Sequence, residues 1–308
     1  MSRTETGARK GASPRPKTKL ARANDRILLL MIMPAALIYA TFYLYPTINN
    51  LRYSLTNWDG FSKASFVGLD NFARMATEDS VFTKVLGNNI EFTLLVVIFQ
   101  TALSLLFAIF LLKNSRTSTF LRTLYFFPTI ISSVSVAMVW QFLYEPNLGP
   151  INTFLNSLGL DFLALNWLGS ETVTLRAIAF TQVWFHTGQM MVVYIAGLQQ
   201  IPAELYEAAE VDGATRWQQF KSVTWPMALP TTAVVMAYTT IQSFRAFDLI
   251  FAMTQGGPNN SSNIIVTLIY LTAFNEYRFG YAAAQSIFLI VFILGLTALQ
   301  RRILRTRY

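Results

Sequence analysis

The chain has 308 residues, no cysteine and a single histidine. Without thiols it forms no disulfide, thiolate nucleophile or iron–sulfur centre, and one imidazole does not build the usual zinc cage. The missing thiols leave the redox compartment open. Charge is also scarce. Only 13% of residues are charged and 53% are hydrophobic, with a mean hydropathy of +0.40, whereas soluble domains carry about 25% charged residues. That is too little polar material to cover one or two soluble domains. Fourteen per cent aromatics and only 15 glycines exclude wholesale disorder and collagen-like repeats. No G-x-x-x-x-G-K-[ST] motif occurs, nor any Gly-Lys pair, so the chain does not hold ATP in a phosphate loop. These exclusions leave an all-α, polytopic membrane protein.

A spanning helix needs about 20 largely apolar residues. Six stretches qualify, at roughly 27–49, 91–112, 123–144, 175–197, 229–251 and 281–299. The first follows a basic tail, but its apolar run is too long for a signal-peptide core and no small-x-small site follows it. It is therefore expected to be retained. Seventeen Lys and Arg fall in the N-terminal tail, the connections 113–122 and 201–228, and the C-terminal tail, against five (Arg52, Lys63, Arg74, Lys84 and Arg278) in the alternate connections. This bias predicts that both termini are cytoplasmic. It also explains the net charge of +8 as a topology signal and an attraction to anionic lipid, without nucleic acid. The expected organisation is a basic, disordered cytoplasmic tail over 1–26, a single transmembrane domain over 27–300 and a basic cytoplasmic tail over 301–308.

The connection at 201–230 is too structured for an ordinary loop. Pro202 suits the first position of a helix, Glu204 suits its positive end, and Asp212-Gly213 reads as its stop. Thr215 and Gln218 have capping-box spacing for a second short helix reaching about Val223, and Pro226 and Pro230 bracket the entry to span five. A nine-residue helix is not stable alone in water. Ala208 and Ala209 permit close approach, while Leu205, Tyr206 and Val211 offer apolar area. These features fit either an interfacial loop or a helix pair that docks on a partner.

Glu207-Ala208-Ala209, Asp212-Gly213-Ala214 and Leu229-Pro230 resemble the EAA cytoplasmic loop of binding-protein-dependent ABC transporter permeases. The segment 66–72 (FVGLDNF), the Phe244-Arg245-Ala246-Phe247-Asp248 string and Thr254-Gln255-Gly256-Gly257-Pro258 resemble the maltose-type carbohydrate branch, and the similarity runs from about 27 to 300. The resemblance implies a non-catalytic membrane subunit of an ATP-driven sugar importer in a bacterial inner membrane. Its implied partners are a second, non-identical permease, an ATP-binding subunit dimer that holds ATP and Mg, and an external solute-binding protein. No cofactor is implied in this chain. The EAA helix of the family sits in a cleft of the ATP-binding subunit, and by position Glu207, Ala208, Ala209, Asp212 and Gly213 carry that role here. Gly213 also reads simply as a helix terminator.

Polar residues inside spans tend to face a cavity or another helix. Gln182, His186 and Gln189, with Phe185 beside them, form one helical stripe in span four. Thr239, Gln242 and Ser243 do so in span five, and Thr129, Ser132 and Ser133 in span three. Transporter sites lie near the midplane, so Thr129, Ser133, Gln182, Phe185, His186, Gln189, Thr239, Gln242 and Ser243 are the candidate substrate pathway. Packing is the competing reading for the Ser and Thr residues, and it is favoured for span three. His186 without its glutamine neighbours would read as a packed residue, and without companion ligands it makes no metal site. Arg245 and Asp248 are expected to pair with each other. An unpaired Arg245 would instead favour an anionic cargo, such as a glycerol phosphate. An ion-coupled secondary carrier calls for embedded carboxylates or an inverted repeat, and only Asp248 lies well inside a span. An intramembrane enzyme would need a catalytic constellation that one histidine and no cysteine do not supply.

Overall fold

The computed structural model describes residues 30–303, so the expected tail at 1–26 and residues 304–308 lie outside the described residues. The chain divides into two units, Met1–Asn49 and Asn50–Tyr308. Among the described residues every regular element is helical, with one isolated antiparallel bridge between Thr56 and Phe66. Helix α1 (Leu30–Tyr53) contains a π-turn at Ala40–Leu44. The segment that follows is tied down by Asn71, whose Nδ2 donates to the carbonyls of Ser54 and Thr56 at 2.9 and 2.8 Å. Asn71 belongs to α2 (Asp70–Thr77).

Helix α3 (Ser80–Phe110) starts where the Asp79 side chain accepts from the Phe82 N–H at 2.8 Å. One face of it, carrying Asn89, Thr93, Gln100 and Ser104, is buried. Its most extensive neighbour is α7 (Thr174–Leu198). Lipid tails are as apolar as leucine, so close backbone approach and hydrogen bonds, more than apolar burial, hold such helices together. At Gly188 of α7 a Cβ would stand 1.9 Å from the carbonyl oxygen of Tyr125, in the segment that follows α3, which shows how nearly the backbones of α7 and that segment touch.

Span three is not the straight helix expected over 123–144. Helix α4 (Arg116–Phe126) tightens into a 3₁₀ turn at Phe127–Ile130, the chain extends at Ile131 and Ser132, and α5 (Ser133–Leu143) restarts at a bend of 100°. Pro128 accounts for the change from α to 3₁₀, because it has no N–H to donate back and its ring clashes with the carbonyl four residues earlier. Beyond it come the short helix α6 (Pro150–Ser157) and then α7.

Helix α8 (Ala203–Val211) has the expected span, although Pro202 precedes it as the cap instead of opening it. The capping box at Thr215 and Gln218 is formed. The helix it starts does not stop near Val223, however. Arg216–Gln219, a π-turn at Phe220–Thr224 and Trp225–Phe244 form one uninterrupted helical run, named α9 (216–244). Pro226 and Pro230 lie within this run. Helical structure stops again before residue 251, the expected end of span five. Arg245 and Ala246 leave the helix, and α10 (Phe247–Thr254) restarts beyond them and buries Leu249, Ile250 and Met253 in a cluster with Trp140 and Ile178. The Gly-Gly-Pro segment that follows is held against α3, with Lys84 Nζ donating to the Asn259 carbonyl at 2.7 Å and Asn88 Nδ2 to that of Asn260 at 2.7 Å. Helices α11 (Ile265–Phe274) and α12 (Phe279–Ile303) follow among the described residues, with Arg301 and Arg302 in the last turn of α12.

Among the described residues three helices, α1, α3 and α12, are long and apolar enough to cross a membrane, and the bent α4–α5 pair makes a fourth if counted as one span. The remaining long helices, α7 and α9, carry the polar stripes noted in the sequence.

Candidate functional site

Two places concentrate the chemistry. The first is a cavity of about 400 Å³ where α5, α7, α9 and α10 converge. Gln182, Phe185 and His186 enter it from α7, Gln242 from α9 and Ser133 from the start of α5. His186 keeps its ring in place through Nδ1, 3.3 Å from the Gln182 carbonyl, and its ring centroid lies 4.2 Å from that of Phe185. The other candidate residues lie outside the lining. Thr129 Oγ1 donates to the Phe185 carbonyl at 3.1 Å, joining the break in span three to α7. Gln189 donates to the Tyr238 hydroxyl at 3.2 Å. Thr239 and Ser243 are fully buried; Thr239 accepts from Gln100 at 3.3 Å, and Ser243 donates to the Thr239 carbonyl at 2.8 Å.

The cavity also holds Arg245 and Asp248, and the expected ion pair between them is not formed. Asp248 Oδ2 instead accepts from Ser133 Oγ at 3.3 Å. Ser133 is the first residue of α5, and the positive end of a helix dipole stabilises a carboxylate there without a cation. Arg245 has no acceptor among the described residues, because the helix ends at Phe244 and the turn to α10 moves Asp248 out of the i, i+3 position. Sequence reasoning missed the two walls contributed by Tyr238 and Ile241. Tyr238 lies one turn before Gln242, a spacing that would have found it.

The second place is the α8–α9 junction. No residue of α8 is buried, and Val211 and Trp217 are 88% and 70% exposed. The Tyr206 hydroxyl lies 3.0 Å from Thr224 Oγ1 and pins α8 to the π-turn of α9. At the end of α8 the N–H groups of Asp212, Gly213 and Ala214 donate to Ala208, Glu210 and Ala209 at 3.0, 3.0 and 2.9 Å. Gly213 takes a φ of +74° to do so, the left-handed cap that glycine adopts without a Cβ penalty. Glu207, Ala208, Ala209, Asp212 and Gly213 thus share one short, solvent-facing structure at the head of a helix that runs to the cavity.

Residues 100–307 match the family described as binding-protein-dependent transport system inner membrane component. The chain belongs to that family. Among its relatives, the multiple sugar-binding transport system permease protein MsmF of Streptococcus mutans is 33% identical over 88% of this chain and 92% of its own length. The diacetylchitobiose uptake system permease protein NgcF of Streptomyces coelicolor is 33% identical over 96% of this chain and 87% of its own. A chain of a bacterial alginate ABC transporter, solved in complex with an alginate pentasaccharide-bound periplasmic protein, superposes with a TM-score of 0.80 at 25% identity, covering 93% of this chain and 98% of that one. The permease fold therefore extends over nearly the whole length of this inner-membrane transport component.

Proposed function

We propose that this permease is the membrane-spanning, non-catalytic subunit of an ATP-driven importer, and that a neutral sugar crosses through the cavity between α5, α7, α9 and α10. The observation that carries the reading is the convergence of Gln182, His186 and Gln242, with Phe185, from two helices on one cavity. Amide and imidazole groups exchange hydrogen bonds with sugar hydroxyls, and an aromatic face covers the apolar side of a pyranose. The sugar-permease names of its relatives support the same cargo class. Six crossings follow if α1, α3, the bent α4–α5 pair, α7, α9 and α12 each span once, with both termini cytoplasmic by the charge bias. The α8–α9 junction then faces the cytoplasm of a bacterial cell. There it docks an ATP-binding subunit dimer that holds ATP and Mg, while a second permease completes the pathway. An external solute-binding protein would approach loops 145–173 and 252–280. ATP binding favours one of two arrangements of the cavity only through its different affinity for each.

Gln182→Ala and Gln242→Ala are expected to slow uptake or change sugar preference without weakening ATPase association. Each lost hydrogen bond costs about 0.5–1.5 kcal/mol. Unchanged uptake kinetics across a sugar panel in both variants would refute the site. The unpaired guanidinium of Arg245 supports a second reading, an acidic sugar derivative as cargo, and competition by uronates over neutral sugars would select it.

Orientation has its own test. A cysteine at Ser157, which is exposed on α6, is expected to react with an impermeant thiol reagent from outside. A cysteine at Thr117 should react only after the membrane is opened. Thr117 serves better than Ser118, which is 8% exposed. The native chain has no thiol, so reversed labelling would overturn the topology directly.

A further inference from the structure

Three consecutive residues of α9 each accept a hydrogen bond from a glutamine on a different helix. Gln189 of α7 donates through Nε2 to the Tyr238 hydroxyl at 3.2 Å, Gln100 of α3 to Thr239 Oγ1 at 3.3 Å, and Gln300 of α12 to Thr240 Oγ1 at 2.7 Å. Successive helical residues point about 100° apart and rise 1.5 Å each, so the three bonds approach α9 from three sides at almost one height. They fix its rotation as well as its depth. Each glutamine leaves its buried Oε1 without a protein partner among the described residues. A buried acceptor in that state is costly, and here the same arrangement occurs three times around one helix. The next residues along α9, Ile241 and Gln242, are cavity walls, as is Tyr238 itself. The other end of the same unbroken helix is the capping box beside Asp212 and Gly213.

We propose that Gln100, Gln189 and Gln300 are positioning residues for translocation: a collar that holds α9, and with it the cavity wall, at one angular setting and lets go when the α8–α9 junction is displaced. Each amide uses its donor in the present setting and holds its acceptor in reserve, so a turned α9 can present the hydroxyl protons of Tyr238 and Thr239 to the free oxygens, while that of Thr240 is held by the Met236 carbonyl at 2.8 Å. The collar exchanges one set of bonds for another instead of merely breaking. This inference rests on the reading of α8–α9 as the element that docks the ATPase.

The test uses the assembled transporter in vesicles, with ATP hydrolysis as the readout. Gln100→Leu and Gln300→Leu keep volume and remove an unpartnered carbonyl, so normal amounts of folded chain are expected. With one collar bond gone, hydrolysis in the absence of binding protein should rise by about three- to tenfold, the range one net hydrogen bond supplies. In a second variant, Gln100→Cys with Thr239→Cys, the two thiols are bridged by a reducible bis-methanethiosulfonate linker. Bridging is expected to suppress hydrolysis and reduction to restore it. A purely structural tie predicts unchanged hydrolysis per folded transporter in the leucine variants and full activity when bridged, and either result overturns the collar. If Glu207→Lys uncouples the transporter while the bridged form stays active, only the collar fails. If Glu207→Lys has no effect, the docking reading beneath it fails.

Discussion

Replacing Gly213 with proline, or Glu207 with lysine, is expected to abolish uptake by the assembled transporter while the chain remains in the membrane at normal levels. Gly213 sits at φ +74°, and the proline ring holds φ near −65°. The substitution also deletes the N–H that donates to the Glu210 carbonyl at 3.0 Å. The end of α8 must therefore leave its present path, and with it the geometry that sets α8 against α9. A Cβ at this position meets nothing within 4 Å, so Gly213→Ala carries only the left-handed backbone cost of about 1–2 kcal/mol and should give a graded loss. Glu207 is exposed on a helix with no buried residue, so its reversal spares the fold and acts on whatever surface α8 meets. Uptake assays together with co-purification of the ATP-binding subunit check both variants. Normal uptake with normal association in both would remove the docking role from this loop.

A larger effect on the chain itself is expected at Gly188. A Cβ there would lie 1.9 Å from the Tyr125 oxygen, 2.4 Å from its carbonyl carbon and 2.8 Å from the Phe126 nitrogen. All three are backbone atoms, which cannot swing aside as a side chain can. Gly188→Leu should therefore drive α7 away from the break in span three and pull apart the Thr129 bond to the Phe185 carbonyl one turn away. Overpacking costs about 1–3 kcal/mol or more, and this chain has little apolar driving force in lipid to offset it. The expected outcome is a lower melting temperature in detergent and depleted membrane levels. Gly295→Leu serves as control, since a Cβ there meets nothing within 4 Å and should be tolerated. Equal stability of the two variants would mean that the helices do not touch at Gly188.

The legible parts of this molecule were those set by local chemistry. The cap at Thr215 and Gln218, the stop at Gly213 and the extent of α8 depend on residues within one turn of each other, and they follow from spacing alone. The break in span three was announced by Pro128 but went unread, because the apolar run continues through it. The break at Arg245 and Ala246 carries no proline or glycine; it reflects the burial of Leu249, Ile250 and Met253 against distant helices. Stripe reasoning found the α7 wall of the cavity because Gln182 and His186 both face it. It could not separate Gln242 from Thr239 and Ser243, which are fully buried outside the lining, Thr239 against Gln100 of α3. Gln100 is an amide in the apolar run 91–112 that stripe reasoning passed over, and only the fold shows that it meets α9.

The restart at Ser133 has a consequence for how this cavity should be dissected. Ser132 provides no side-chain cap to α5, so the first peptide N–H groups of that helix keep their hydrogen-bonding capacity where Ser133 and Ile131 border the cavity. Main-chain donors of this kind survive every side-chain replacement. A complete alanine scan of the lining would therefore leave a residual grip on a polyol, one that varies little with residue identity. Removing it requires a change that alters the peptide linkage itself, such as an ester in place of an amide at the start of α5.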